Sequence, residues 1–264
     1  MEEHVGTGTV RIDPANSAAS PEANLVLVNS LACTSDLWND VVRHLPETVR
    51  VIRFDQRDRG GPAGQRPFSL KSLAHDVFEA ADIAGAGDIH VAGVSLGGLV
   101  SLQAAIQVPE RVRSVTAMCC AARFDEQSWI DRGAQVREHG AAPLVDAVMK
   151  RWFTDEFASS HPGTIDFYRE MFLSTDDAGY ANACDVLAAS DLRPSLSAIS
   201  CPTLLISGEH DPANPVREQE LIASAIEGSR HVVVEGAAHL APASHSAEIA
   251  ELLVQQCRKE TFSR

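Results

Sequence analysis

A chain of 264 residues, 45% of them hydrophobic, is long enough to bury one large α/β core, alone or with an insertion. Its 36 acidic residues outweigh 22 basic ones for a net charge of −14, which repels phosphate backbones and anionic membrane surfaces and argues against nucleic acid or a membrane as partner. Six scattered cysteines, Cys33, Cys119, Cys120, Cys184, Cys201 and Cys257, form no Cys-x-x-Cys pair and read as reduced core residues.

The start, Met1-Glu2-Glu3-His4, has neither the basic nor the apolar region of a signal peptide, so a cytoplasmic location is expected. The first apolar run, residues 25–28, reads as a strand, followed by the loop Asn29-Ser30-Leu31-Ala32. Leu37, Val41 and Leu45, with Trp38 and Val42, then repeat at helical spacing before a second strand at residues 49–54. Leu70, Leu73 and Val77 mark another buried helical stripe, and strands follow at Ile89–Val94 and Val112–Met118. The most apolar long stretch, residues 91–108, is broken by Ser95, Gly97, Gly98, Ser101, Gln103 and Gln107, and so reads as buried strand plus helix and not as a membrane span. Two more strands lie at residues 203–207 and 231–234. Strands alternating with helices imply a mostly parallel sheet covered on both faces, with ligand chemistry in loops at the strands' carboxyl ends.

Between residues 123 and 197 the alternation stops and the sequence reads as helices alone. The expected organisation is a core of residues 1–122 and 198–264 interrupted by a helical cap of residues 123–197. Nine of the fourteen aromatic residues fall in that segment, where a small helical unit needs large side chains for a core of its own. Trp129, Arg151 and Trp152 are its candidates for contact with substrate.

Gly93-Val94-Ser95-Leu96-Gly97 stands directly between a strand and a helix that Pro109 ends. A serine at such a turn has its Oγ pushed out over the sheet edge, and the flanking glycines permit the crowded backbone. Serine is a weak nucleophile at neutral pH, so Ser95 needs an imidazole to take its proton and a carboxylate behind that imidazole. Asp211 and His239 each follow a strand, in the chain order serine, acid, histidine that this arrangement uses. His210, His231 and His245 are worse placed than His239, and Glu209 and Asp185 compete with Asp211, whose loop is fixed by Pro212 and Pro215. The backbone N–H groups of Leu96 and Leu31 are the candidate oxyanion donors. Arg53-Phe54-Asp55-Gln56-Arg57-Asp58-Arg59-Gly60 leaves two readings open: a loop clamped by Arg–Asp pairs, or Arg57 or Arg59 receiving a substrate carboxylate, a role open equally to Arg151. No metal-ligand spacing occurs, so neither a metal nor a cofactor is expected.

The elbow Gly93-Val94-Ser95-Leu96-Gly97-Gly98, the loop Val28-Asn29-Ser30-Leu31 and the tail from Cys201-Pro202-Thr203 to His239 together resemble the α/β-hydrolase superfamily. Within it the chain looks most like the 3-oxoadipate enol-lactone hydrolases, a similarity that includes Arg151-Trp152-Phe153-Thr154, Gly179-Tyr180-Ala181 and Asp191-Leu192-Arg193. The resemblance implies Ser95, Asp211 and His239 as a triad, Leu31 and Leu96 as oxyanion donors, and a small, carboxylate-bearing lactone as substrate. Two loops depart from the pattern: Arg57-Asp58-Arg59-Gly60 stands where the family usually has Arg-Gly-His-Gly, and Leu240-Ala241-Pro242 where relatives tend to have Leu-Ser-Asn. Alternatives on the same fold are another esterase, a carbon–carbon bond hydrolase, an acyltransferase, a perhydrolase or a low-turnover ligand receptor. A homo-oligomer is compatible with the sequence.

Overall fold

The computed structural model describes residues 4–5, 8–13, 21–64 and 66–258. The acidic start at residues 1–3 and the chain beyond residue 258 lie outside the described residues. Seven strands form one sheet: β1 (Arg11–Ile12), β2 (Ala23–Val28), β3 (Val49–Arg53), β4 (Ile89–Val94), β5 (Val112–Met118), β6 (Thr203–Gly208) and β7 (Arg230–Val234). Their spatial order is β1-β3-β2-β4-β5-β6-β7, parallel throughout except for the antiparallel edge pair β1–β3. Every residue of β4 and of β6 is buried. Because alternate side chains point to opposite faces, both faces of the sheet are covered.

The covering elements are α1 (Asn39–His44), α2 (Leu70–Ile83), α3 (Leu96–Gln107), α9 (Val216–Ala225) and α10 (Ser246–Cys257). Helices α2 and α3 pack on one another, as do α1 and α10. Five further helices lie between β5 and β6 with no strand among them: α4 (Glu126–His139), α5 (Val145–Trp152), α6 (Asp155–Ser160), α7 (Pro162–Leu173) and α8 (Asp177–Ala189). The inserted segment leaves and returns side by side, through a bridge between Arg123 and Asp191 and a 2.8 Å bond from Leu192 N–H to Ala122 O. Buried Trp152, Phe172 and Tyr180 pack edge to face within it, with ring centroids 6.0 and 5.8 Å apart. Among the described residues no helix is long and apolar enough to cross a membrane.

The six apolar runs of the sequence correspond to β2–β7, with ends shifted by no more than two residues. Strand β1 has no such signal, because its two residues are exposed at the sheet edge. β2 pairs with β3 on one side and β4 on the other, Val26 standing opposite both Ile52 and Val91. The strand order therefore reverses at β2, which opens a crevice beyond the carboxyl ends of β2 and β4.

The charged turn after β3 braces this crevice. Arg57 donates from Nε and Nη2 to the Asp76 carboxylate on α2, at 2.7 and 2.6 Å. Arg59 donates from Nη1 to Ala32 O and Met171 O, both at 3.1 Å, and to Thr175 Oγ1, and from Nη2 to Ser174 Oγ at 2.7 Å. Both arginines are thereby engaged by the scaffold, Arg57 through an Arg–Asp pair as the clamped-loop reading expects, and Arg59 through carbonyl and hydroxyl oxygens instead of an Asp pair. Between them Asp58 is fully buried, its Oδ2 accepting from Ala32 N–H at 2.7 Å.

Burial pushes the Asp58 carboxyl up to about 6, with the Arg59 charge opposing and Asp55 reinforcing; the Cys33 and Cys184 thiols are the other titratable groups that face it. Between pH 4 and 6 the folded state holds a proton there that the unfolded chain has released, so this group's contribution to stability falls as pH rises through that window. Above pH 6 the ionised, buried carboxylate is a standing cost. Asp58→Asn keeps an oxygen for Ala32 N–H without the charge, and should raise Tm by several degrees at pH 8, a gain that shrinks towards pH 4 in thermal melts followed by circular dichroism.

Candidate active site

Ser95 joins β4 to α3 with φ 59° and ψ −118°, a conformation that side-chain-bearing residues adopt at a cost of order 1–3 kcal/mol. The glycines around it have backbone where a side chain would be: a Cβ on Gly93 would lie 2.2 Å from Gly97 O, and one on Gly97 2.3 Å from Val28 O. Ser95 N–H donates to Met118 O of β5 at 2.8 Å, locking the elbow to the neighbouring strand. Leu96 opens α3, so its N–H has no acceptor within the helix and lies at the positive end of the helix dipole.

His239 and Asp211 are both buried, and His239 Nδ1 is 2.8 Å from Asp211 Oδ2. A carboxylate accepts there, so Nδ1 carries the proton and Nε2 is left with a lone pair. The other carboxylate oxygen, Oδ1, accepts from the N–H groups of Ala213 and Asn214 at 2.8 and 3.1 Å, and Asn214 Nδ2 donates to Cys119 O at 2.9 Å. The histidine loop is tied to the insertion, since His239 N–H and Leu240 N–H donate to Arg151 O and Trp152 O at the end of α5, at 3.4 and 3.1 Å.

A cavity of about 330 Å³ brings these pieces together. Ser30, Leu31, Ser95 and His239 line it from the sheet side; Trp129 and Arg132 of α4, Arg151 and Trp152 of α5, Phe172 of α7 and Tyr180 of α8 line it from the insertion. The competing residues are engaged elsewhere. His231 Nε2 pairs with Ser207 Oγ at 2.9 Å, His245 with Ser244 at 2.8 Å, exposed His210 lies 3.6 Å from Glu209, and Asp185 is paired with Arg137.

Arg132 and Tyr180 are pocket residues that the sequence reading did not assign to the site. A usable signal existed for Arg132, which follows Trp129 by three positions on α4 and lies over its ring at 4.8 Å. Burial, and then the Arg132 charge, holds Arg151 below the ordinary guanidinium range. Burial likewise pushes the Tyr180 hydroxyl up to about 12, so it remains a neutral hydrogen-bonding group at neutral pH. Among the described residues neither Arg132 nor Arg151 is in an ion pair.

The family model for the alpha/beta hydrolase fold matches residues 23–246. The chain is 32% identical over 217 residues to 3-oxoadipate enol-lactonase 1 of Acinetobacter baylyi, covering 82% of this chain and 81% of the relative. It is 31% identical over 235 residues to 3-oxoadipate enol-lactonase 2 of the same organism, covering 88% and 87%. Its structure superposes on the crystal structure of the enol-lactonase from Burkholderia xenovorans LB400 with a TM-score of 0.90 and 30% identity, over 97% of this chain and 98% of that one.

The bare backbone at the elbow is open to direct test. Gly97→Ala forces a methyl group into Val28 O and Asn29 O, and should cost about 3 kcal/mol or more in urea denaturation.

Proposed function

The chain belongs to the alpha/beta hydrolase fold family, and on that premise we propose that it is a serine hydrolase that opens a small, carboxylate-bearing lactone through an acyl-enzyme. The observation that carries the reading is one cavity lined by Ser95, by His239 and by two arginines, Arg132 and Arg151, that have no carboxylate partner among the described residues. A half-buried arginine next to a second arginine is an arrangement that an incoming anion relieves. The enol-lactonase names of its relatives support the same substrate class.

In this mechanism His239 Nε2 takes the Ser95 proton as Oγ attacks the lactone carbonyl, while Asp211 steadies the imidazolium through Nδ1. The N–H groups of Leu31 and Leu96 receive the oxyanion, each such donor contributing about 2.7–4 kcal/mol in the transition state. Collapse breaks the ring C–O bond and releases an enolate on the same acyl chain, which takes up the His239 proton and returns the imidazole to its neutral form; conjugation stabilises the enolate, so this delivery matters less to the rate than it would for an alkoxide. Water, deprotonated by the same imidazole, then attacks the acyl-enzyme, and the free carboxylic acid leaves with Ser95 regenerated. Arg151 and Arg132 hold the substrate's own carboxylate, with Trp129 and Trp152 packing its carbon skeleton.

Ultraviolet loss of 3-oxoadipate enol-lactone, measured beside a panel of neutral lactones and esters, tests both parts. Ser95→Ala should fold and lose about a millionfold in kcat; a near-normal rate would refute the nucleophile. Arg151→Met should raise KM for the charged lactone about 10- to 100-fold and leave neutral substrates within a few-fold, as expected for one lost charge-assisted hydrogen bond. Equal losses on both substrate types would refute the carboxylate role.

A further inference from the structure

The loop that presents Leu31 is a tight turn in which Cys33 N–H donates to Ser30 O at 3.0 Å. That bond orients the Ser30–Leu31 peptide, and because the peptide is trans, the Leu31 N–H points away from Cys33. The turn requires Ala32 at φ 65°, a left-handed conformation that glycine would adopt freely and alanine does not. Rotation of the Leu31–Ala32 peptide would relieve Ala32 and convert this turn to one with a different Leu31 ψ, shifting the backbone that carries the Leu31 N–H. Consecutive residues hold the two peptides that flank the Ala32 Cα, and so fix its backbone angles: Asp58 Oδ2 accepts from Ala32 N–H at 2.7 Å, and Arg59 Nη1 donates to Ala32 C=O in the following peptide at 3.1 Å.

The same two residues reach the inserted helices. Arg59 also binds Met171 O, Ser174 Oγ and Thr175 Oγ1 at the end of α7, beside the cavity residue Phe172. A Cβ on Gly179 of α8 would lie 2.6 Å from Asp58 O, so the turn and the helix bearing Tyr180 touch backbone to backbone. Asp58 and Arg59 are also the two positions where the chain departs from the Arg-Gly-His-Gly pattern.

Resting on the serine-hydrolase reading above, we propose that Asp58 and Arg59 are positioning residues for the oxyanion site, holding Ala32 in its left-handed conformation so that the Leu31 N–H stays aimed at the reacting carbonyl. Neither touches substrate. Their effect falls on the transition state, where the oxyanion forms, and spares ground-state binding. A fully buried carboxylate kept at a cost in stability fits a residue retained for such a task.

The test uses Asp58→Ala, Asp58→Asn, Arg59→Met and Arg59→Lys, with p-nitrophenyl acetate as substrate, glutarate as a non-covalent anion and phenylboronic acid as a mimic of the tetrahedral state. In the boronate adduct the Ser95 Oγ–B bond forms, the serine proton passes to His239, and a boron hydroxyl occupies the oxyanion site. Asp58→Ala and Arg59→Met should lower kcat about 10- to 100-fold, less than the full loss of a donor. They should weaken the boronate Ki by the same factor and leave KM and the glutarate Kd within about twofold. Asp58→Asn, which keeps an acceptor for Ala32 N–H, and Arg59→Lys should recover most of both losses. Folding is checked by circular dichroism, and if Asp58→Ala does not fold, Arg59→Met decides. Folded variants with lowered Tm but unchanged kcat and boronate Ki would overturn the proposal and leave only a structural clamp. Wild type that neither hydrolyses the ester through Ser95 nor binds the boronate would instead overturn the serine-hydrolase reading, and this proposal with it.

Discussion

A backbone at φ 59° and ψ −118° persists at a serine only where its surroundings hold it, and around Ser95 they are carbonyl oxygens of the flanking strands. Met118 O fixes the serine's own N–H, and Val28 O and Asn29 O press against Gly97 so closely that no side chain fits. The first turn of α3 is thus seated directly on the ends of β2 and β5. From that seat follow the exposure of Oγ above the sheet, the direction of Leu96 N–H, and the nearness of the Leu31 loop, which continues from β2.

The remaining parts of the candidate site come from segments far apart in sequence, and two of them are tied to the inserted helices, while the Asp211 loop is held through Asn214 to Cys119 O. The histidine loop hangs from the carbonyls of Arg151 and Trp152, and the Leu31 loop is strapped through Arg59 to the end of α7. The insertion therefore does more than roof the cavity with aromatic rings: its backbone carbonyls hold the His239 loop, and the end of α7 braces the Leu31 loop through Arg59. Movement of α5 or α7 would reach the proposed catalytic groups without any change in their own side chains.

Much of this was legible in the sequence, for physical reasons that differ by element. β4 and β6 could be read because strands buried on both faces need unbroken apolar runs, and Ser95 and Asp211 because each follows such a run; His239 follows β7, a shorter apolar run at the sheet edge that is only partly buried. β1 could not be read, since a two-residue exposed edge strand leaves no hydrophobic trace. Arg57 and Arg59 stayed ambiguous because a charge in a loop says nothing about its partner: Asp76 lies nineteen residues away on α2, and Met171 more than a hundred. Arg132 was hidden because an arginine on a polar helix reads as solvated until the helix is laid over a cavity. Asp58 was hidden more deeply, since only the fold reveals that this acidic side chain is buried against a backbone N–H.

The net charge of −14 does not weigh against the proposed anionic substrate once the ranges of the two fields are compared. Beyond a Debye length of about 8 Å the acidic surface is largely screened, whereas inside the cavity Arg132 and Arg151 act at short range with little water between them and a ligand. Recognition is therefore decided locally. The arginines that could have competed for that role are engaged by the scaffold, Arg57 in a two-point ion pair with Asp76 and Arg59 by four uncharged oxygen acceptors. What is left on the cavity wall is a pair of cations, Arg132 and Arg151, beside the rings of Trp129 and Trp152, and on the proposed function a substrate carboxylate would sit there, on the insertion side, opposite Ser95.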